Sequence, residues 1–158
     1  MNLIVAVDQN WAIGKGGDQL VYISEDLKRF KALTTGHPVI LGRKTLATFP
    51  GGRPLKGRRN LILSATPGYQ VEGAEVFPDL ESLLAQAPED SFVIGGESVY
   101  RELLSHCSTA YVTKIHAAFP ADRYFPNLDK DGDWMVSDVS DMMEQDGLQF
   151  QYVTYVRK

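Results

Sequence analysis

The sequence predicts an α/β fold: a central, mostly parallel twisted sheet with flanking helices and an antiparallel hairpin at the C-terminus. Three observations carry this. Short, largely apolar runs such as residues 3–7, 38–41 and 60–64 suit strands buried on both faces, as parallel sheets require. In the N-terminal part these runs alternate with amphipathic stretches, the pattern of strand–helix–strand units. Beyond Thr109 the alternation stops, and Phe150, Tyr152, Thr154 and Val156 interleave with Gln149, Gln151, Val153 and Tyr155 in the period of two that marks antiparallel strands near a sheet edge.

Taken in order, residues 3–7 form the first strand, and Gly14, Gly16 and Gly17 then punctuate a polar segment that reads as a mobile loop beside a site. Ser24 is positioned to cap a helix with Glu25 and Asp26 in its first turn, ending near Gly36. A strand over 38–41 leads through Gly42 into a short helix over 43–49, and a third strand follows over 60–64. Residues 75–77 suit a fourth, and Asp79 caps a helix carrying Leu80, Leu83 and Leu84. Phe92-Val-Ile-Gly-Gly-Glu-Ser-Val-Tyr100 then reads as strand, bend and helix. Residues 110–118, 134–139 and 148–156 complete the chain as three strands.

Composition narrows the function. A length of 158 residues fits a single domain spanning 1–158, and 44% hydrophobic with 23% charged residues is ordinary for a soluble globular protein. The formal charge of −4 offers no basic stripe for nucleic acid. The lone Cys107 and an N-terminus that reads as a strand lead to the expectation of a cytoplasmic protein, and no apolar run approaches bilayer length. His37, His106 and His116 lack metal-ligand spacing with each other or with Cys107, and Asp129, Asp131 and Asp133 lack the register of a calcium loop.

Four places combine residues with chemistry. At Gly95-Gly96 the bend has no side chains, so backbone N–H groups at a helix start are open to a phosphate; the other reading is a tight strand-to-helix turn. Gly42-Arg43-Lys44-Thr45 offers a second anion site of the same kind, with Ser64 at the end of the next strand able to join it, or else a pair of solvated basic residues. Asp26 is the third. At roughly 100° per residue it shares a helix face with Phe30 and Leu33, where a charged carboxylate is costly unless a ligand supplies donors or its pKa rises. An acid in a first helical turn also satisfies the helix dipole, and position alone leaves both readings open. Arg58 or Arg59, just before a strand, could grip a carboxylate through two parallel bonds.

Together these segments resemble the bacterial-type dihydrofolate reductases over essentially the whole chain. The matching pieces come in that family's order: Leu3-Ile-Val-Ala-Val-Asp8, Ala12-Ile-Gly14, Glu25-Asp-Leu-Lys28 with Phe30-Lys31, Pro38-Val-Ile-Leu-Gly-Arg-Lys-Thr45, Arg53-Pro-Leu55, Gly57-Arg-Arg-Asn60, Leu63-Ser64, Val93-Ile-Gly-Gly96 with Val99-Tyr100, Tyr111-Val-Thr113, and Asp122 before Phe125-Pro126. The resemblance implies an enzyme that uses NADPH to reduce 7,8-dihydrofolate to tetrahydrofolate for one-carbon metabolism. It implies that Asp26 binds the pterin amino-pyrimidine edge and promotes protonation of N5, with Thr113 orienting it. Arg58 would hold the α-carboxylate of the glutamate tail. Leu27, Phe30, Leu46, Phe49 and Leu55 would wall the substrate, with the Val5 and Ile94 carbonyls at the pterin edge. Ala6 and Ile13 would position the nicotinamide; Arg43, Lys44 and Ser64 would meet the 2′-phosphate; and Gly42, Thr45, Gly95, Gly96, Glu97 and Ser98 would line the pyrophosphate.

Three stretches depart from the family's pattern. Gln19-Leu-Val-Tyr-Ile-Ser24 stands where many members carry Pro-Trp, Ala65 replaces a frequent hydroxyl, and Pro50-Gly51-Gly52 lengthens a loop. Two rival functions fit the same pieces: the pyrimidine reductase of riboflavin synthesis, and a non-catalytic NADP-binding sensor. The expected partner is a small-molecule substrate, and the expected state is a monomer without metal, nucleic acid or membrane.

Overall fold

The computed structural model describes all residues 1–158. In chain order the elements are β1 (Asn2–Val7), β2 (Ala12–Lys15), β3 (Asp18–Gln19), α1 (Ser24–Thr34), β4 (Val39–Gly42), α2 (Arg43–Leu46), β5 (Asn60–Leu63), β6 (Ala74–Phe77), α3 (Leu80–Gln86), β7 (Phe92–Gly95), α4 (Glu97–Leu103), β8 (Thr109–Ile115), β9 (Arg123–Tyr124), β10 (Trp134–Val139), β11 (Met143–Gln145) and β12 (Leu148–Arg157). No helix is long and apolar enough to cross a membrane.

The main sheet runs β10-β12-β8-β1-β7-β4-β5-β6, with β11 also paired to β12. From β8 to β6 all neighbours are parallel. β12 returns antiparallel between β8 and β10. The switch in hydrophobic period near Thr109 thus marks a real change of architecture. β11 and β12 form a hairpin across Asp146 and Gly147, both at positive φ (52° and 80°), which is the two-residue turn that an Asp-Gly pair favours.

Side chains alternate across the sheet and build a core on each face. Leu3, Val5 and Val7 pack with Leu83, Val99 and Leu103 on the face covered by α3 and α4. Ile4, Val39, Leu41, Leu46, Ile62 and Phe92 pack on the other, the side where Phe30 and Leu33 of α1 lie. Burying each large aliphatic side chain here contributes roughly 1.5–3 kcal/mol.

Three expectations need correction. The glycine-rich segment after β1 is a small second sheet, not an irregular loop: β2 pairs with β3 across Gly16-Gly17 (φ 62° and 86°) and with β9 on its other side. Two successive positive-φ residues make a tight hairpin turn, a use of Gly-Gly that composition alone does not separate from a loop. Second, α2 ends at Leu46, because Thr48 turns its hydroxyl back onto the Thr45 carbonyl and Pro50 follows.

Third, Ser24 does not cap α1. The cap position is Ile23, which has no side-chain bond, and Ser24 is already helical. Gln145 at the end of β11 does the capping instead: its Oε1 accepts from the Glu25 N–H at 3.1 Å, and its Nε2 donates to Ser24 Oγ at 2.7 Å. A residue 120 positions away thus ties the hairpin to the start of the helix that carries Asp26. Asp79 caps α3 as expected, accepting from the Ser82 N–H at 2.8 Å.

Replacing Gln145 with Ala is expected to destabilise the protein by about 1 kcal/mol, the usual cost of a lost N-cap. Urea unfolding of the two proteins checks this; equal midpoints would show that the contact contributes nothing.

Candidate active site

α1 crosses the sheet face formed by Ile4 and Ala6 of β1 and by Tyr111 and Thr113 of β8; the register sets Ile4 beside Tyr111 and Ala6 beside Thr113. Thr113 is buried at 2% exposure, and its hydroxyl donates to Asp26 Oδ1 at 2.5 Å. Asp26 itself is half-buried. Burial pushes its carboxyl pKa up, while the Thr113 hydrogen bond and the nearby Arg29 cation oppose that rise. The net effect is a carboxyl with a higher proton affinity than a free one. Phe30, Leu46, Phe49, Leu55 and Ile94 lie together in the core on this side. Leu27 stands apart from them, 43% exposed on the same helix as Asp26.

Val5 belongs to the opposite face, so only its backbone can serve this cleft. Tyr100 reaches through from α4 and donates its hydroxyl to the Ile4 carbonyl at 2.7 Å.

Arg58 and Arg59 separate clearly. Arg59 is exposed and engages Glu75 with two donors, an ordinary surface pair. Arg58 turns toward the end of α1, where Nη1 donates to Thr34 Oγ1 at 3.0 Å and Nε donates to the Lys56 carbonyl at 3.0 Å. Its Nη2 group has no protein partner, so it remains able to bind a carboxylate. Asn60 holds the loop that presents it: Oδ1 accepts from the Leu55 N–H, and Nδ2 donates to the Leu55 and Arg58 carbonyls. Nothing in the sequence marked Asn60 for this task, because its bonds depend on how the loop folds back.

The two glycine bends lie side by side at the ends of the adjacent strands β4 and β7. Gly95 has φ 122°, a conformation other residues rarely adopt. A Cβ on Gly96 would stand 3.3 Å from Thr45 Oγ1, and one on Gly42 would stand 3.1 Å from Val99 Cγ2. Neither α2 nor α4 has a side-chain cap, so their first N–H groups are free to bind an anion. Arg43 and Lys44 are exposed at the start of α2, and neither makes an ion pair. Ser64 Oγ donates to Thr66 Oγ1 at 3.2 Å, so Thr66 adds a hydroxyl where Ala65 has none. Ser98 is exposed, whereas Glu97 accepts from the Tyr124 N–H at 2.6 Å, leaving its backbone rather than its carboxylate for any anion. Ile13 lies in β2, the small-sheet strand paired with β9, which Glu97 thus fastens to α4.

Sequence reasoning missed Arg29 and Tyr152. Arg29 lies three positions after Asp26, close enough on the helical wheel to have been considered with it.

The model of the dihydrofolate reductase family matches residues 1–157. Dihydrofolate reductase of Bacillus subtilis (strain 168) is 35% identical, with 100% of this chain and 95% of that protein covered. A dihydrofolate reductase of Haloferax volcanii is 37% identical, covering 99% and 82% respectively. Among solved structures, dihydrofolate reductase from Enterococcus faecalis complexed with NADP(H) and RAB-propyl superposes with a TM-score of 0.88 at 34% identity, covering 99% of this chain and 95% of that one. With a family model matched over nearly the whole chain and relatives of this identity, the chain belongs to the dihydrofolate reductase family.

Proposed function

We propose that the protein catalyses the NADPH-dependent reduction of 7,8-dihydrofolate to 5,6,7,8-tetrahydrofolate. The observation that carries this is the Asp26–Thr113 pair, an acid with a raised proton affinity on the helix whose Phe30 and Leu33 pack against the apolar core. Bound NADPH supplies a hydride, delivered from its nicotinamide to pterin C6. The chain's own residues fit such a dinucleotide. The uncapped starts of α2 and α4 suit its pyrophosphate, along with Thr45, Gly95, Gly96, Ser98 and the Glu97 backbone. Arg43, Lys44 and the Ser64–Thr66 hydroxyls suit the 2′-phosphate that distinguishes NADPH from NADH. Backbone groups of Ala6 and Ile13 suit the nicotinamide amide.

On the substrate side, Asp26 accepts from the amino-pyrimidine edge and raises the chance that N5 carries a proton when C6 is reduced. Protonation draws electron density from the acceptor carbon, which lowers the barrier to reduction. Thr113 fixes the carboxyl for this role, and the Val5 and Ile94 carbonyls line the same edge. Leu27, Phe30, Leu46, Phe49 and Leu55 exclude water from the rings, which strengthens each polar contact made there. Arg58, with its free Nη2 group, pairs with the α-carboxylate of the glutamate tail.

The negative formal charge supports a small-molecule substrate with no nucleic-acid partner. We infer one domain over residues 1–158, acting as a monomer in the cytoplasm.

The direct test is to follow NADPH absorbance with purified protein: oxidation is expected only when dihydrofolate is added. NADPH binding without turnover would favour a nucleotide sensor instead. Asp26→Asn is expected to slow turnover on the order of 10²–10⁴-fold at neutral pH, the range typical of a lost proton-transfer group. Because the Asp26 pKa is raised, wild-type activity falls as pH climbs through it, whereas the variant recovers partly in acid, where substrate arrives already protonated. An equal loss at every pH would remove Asp26 from the protonation step. Arg58→Leu is expected to cost about 1.5–3 kcal/mol of folate affinity while leaving NADPH affinity intact. Calorimetric titration of both ligands separates the two effects, and unchanged folate affinity would reject the assignment.

A further inference from the structure

Arg29 sits one helical turn beyond Asp26, and none of the steps above uses it. Its guanidinium carbon stands 3.8 Å from the centre of the Tyr152 ring and 6.0 Å from that of Tyr111. Its Nη1 is buried without any hydrogen-bond partner. Burial lowers the guanidinium pKa, yet an arginine keeps its charge at any physiological pH. A cation in such a place is costly unless aromatic faces and a nearby negative charge offset the lost water. Both are present. The sheet register puts Tyr152 directly beside Thr113, the residue that donates to Asp26. Arg29 and Asp26 share one side of α1 by their i,i+3 spacing but form no ion pair, so the charge acts on the acid across a gap rather than by contact.

We propose that Arg29 is a positioning residue whose fixed positive charge, seated on Tyr152, favours the ionised form of the Asp26 carboxyl and so helps set the pH at which it takes up a proton. The consequence for catalysis rests on the reading of Asp26 as the proton-handling group; the electrostatic link does not. An opposite charge nearby favours the ionised form of an acid. The other groups facing Asp26 do not supply that charge. On α1, Lys28 is exposed and paired with Glu25 at 3.3 Å. From β8 come Thr113 and the Tyr111 ring, from β12 the Tyr152 phenol, and from α4 the Tyr100 phenol. Burial raises both the Tyr100 and Tyr152 pKa values, so these phenols stay neutral. Arg29 is the cation that remains unspent on a carboxylate partner.

Carbon-13 NMR of the aspartate carboxyls in ligand-free protein tests this without any turnover, with Asp26→Asn identifying the resonance. Arg29→Gln is expected to move the Asp26 midpoint upward, and Arg29→Lys to keep it near the wild-type position. The alkaline limb of the kcat profile is expected to move in the same direction as the midpoint. An unmoved midpoint in Arg29→Gln, or one moved equally far in Arg29→Lys, overturns the proposal. If Arg29→Gln does not fold, Tyr152→Leu removes the seat and keeps the charge; an upward shift supports the proposal and no shift rejects it. A midpoint that moves in a protein that never reduces dihydrofolate would sustain the electrostatic link and defeat the reaction assignment instead.

Discussion

The arrangement depends on one hydrogen bond, from Thr113 of β8 to Asp26 of α1. A carboxyl on an apolar helix face is expensive, and without a donor it would either turn to solvent or stay protonated throughout. Thr113 prevents the first by holding one oxygen from a buried strand position, and it moderates the second by favouring the ionised form. The same bond places the acid over the sheet, where β1 and β8 run parallel with Ala6 beside Thr113. Every other candidate group is placed relative to that pair.

The parallel sheet accounts for the anion side of the cleft. Each parallel strand must hand the chain to a crossover, and helices begin at the strands' C-terminal ends. At β4 and β7, which are neighbours, the handover occurs through glycine, and α2 and α4 start with no side-chain cap. Free N–H groups thus gather at one edge of the sheet. Val99 and Thr45 stand where Cβ atoms on Gly42 and Gly96 would press, so the bends also pack against each other. The Gly-Gly bend is a tight strand-to-helix turn, one of the two readings that the sequence offered.

Much of this was legible in the chain. Buried strands announce themselves as apolar runs because both faces are covered, and the loss of alternating helices after Thr109 gave away the antiparallel end of the sheet. Asp26 was legible because an acid on an apolar stripe violates the helical pattern. What escaped notice depends on contacts between distant segments. Gln145 caps α1 from the far end of the chain, Asn60 organises a loop that folds back on it, and Glu97 bonds to the Tyr124 backbone of the small sheet. The Gly16-Gly17 turn escaped for another reason: a glycine pair suits a loose loop and a tight hairpin equally, and only the pairing of β2 with β3 decides between them. The residues alone did not separate Arg58 from Arg59; the family resemblance favoured Arg58, and Glu75 engages Arg59.

α1 itself is anchored only in part by its apolar face, where Phe30 and Leu33 pack against the core. Thr34 is the only residue of this helix that is fully buried, while Leu27 is exposed and Phe30 and Leu33 are half-buried. A helix of 11 residues with so little burial is marginal on its own. Polar links fasten it instead at three points: Gln145 at its start, Thr113 on Asp26 in its first turn, and Arg58 on Thr34 at its end. Fixing the helix through directional bonds as well as partial apolar packing leaves Leu27 exposed. The acid keeps its position while the surface around it stays free to bind. Burying that face in the core would have stabilised the helix further and closed the cleft.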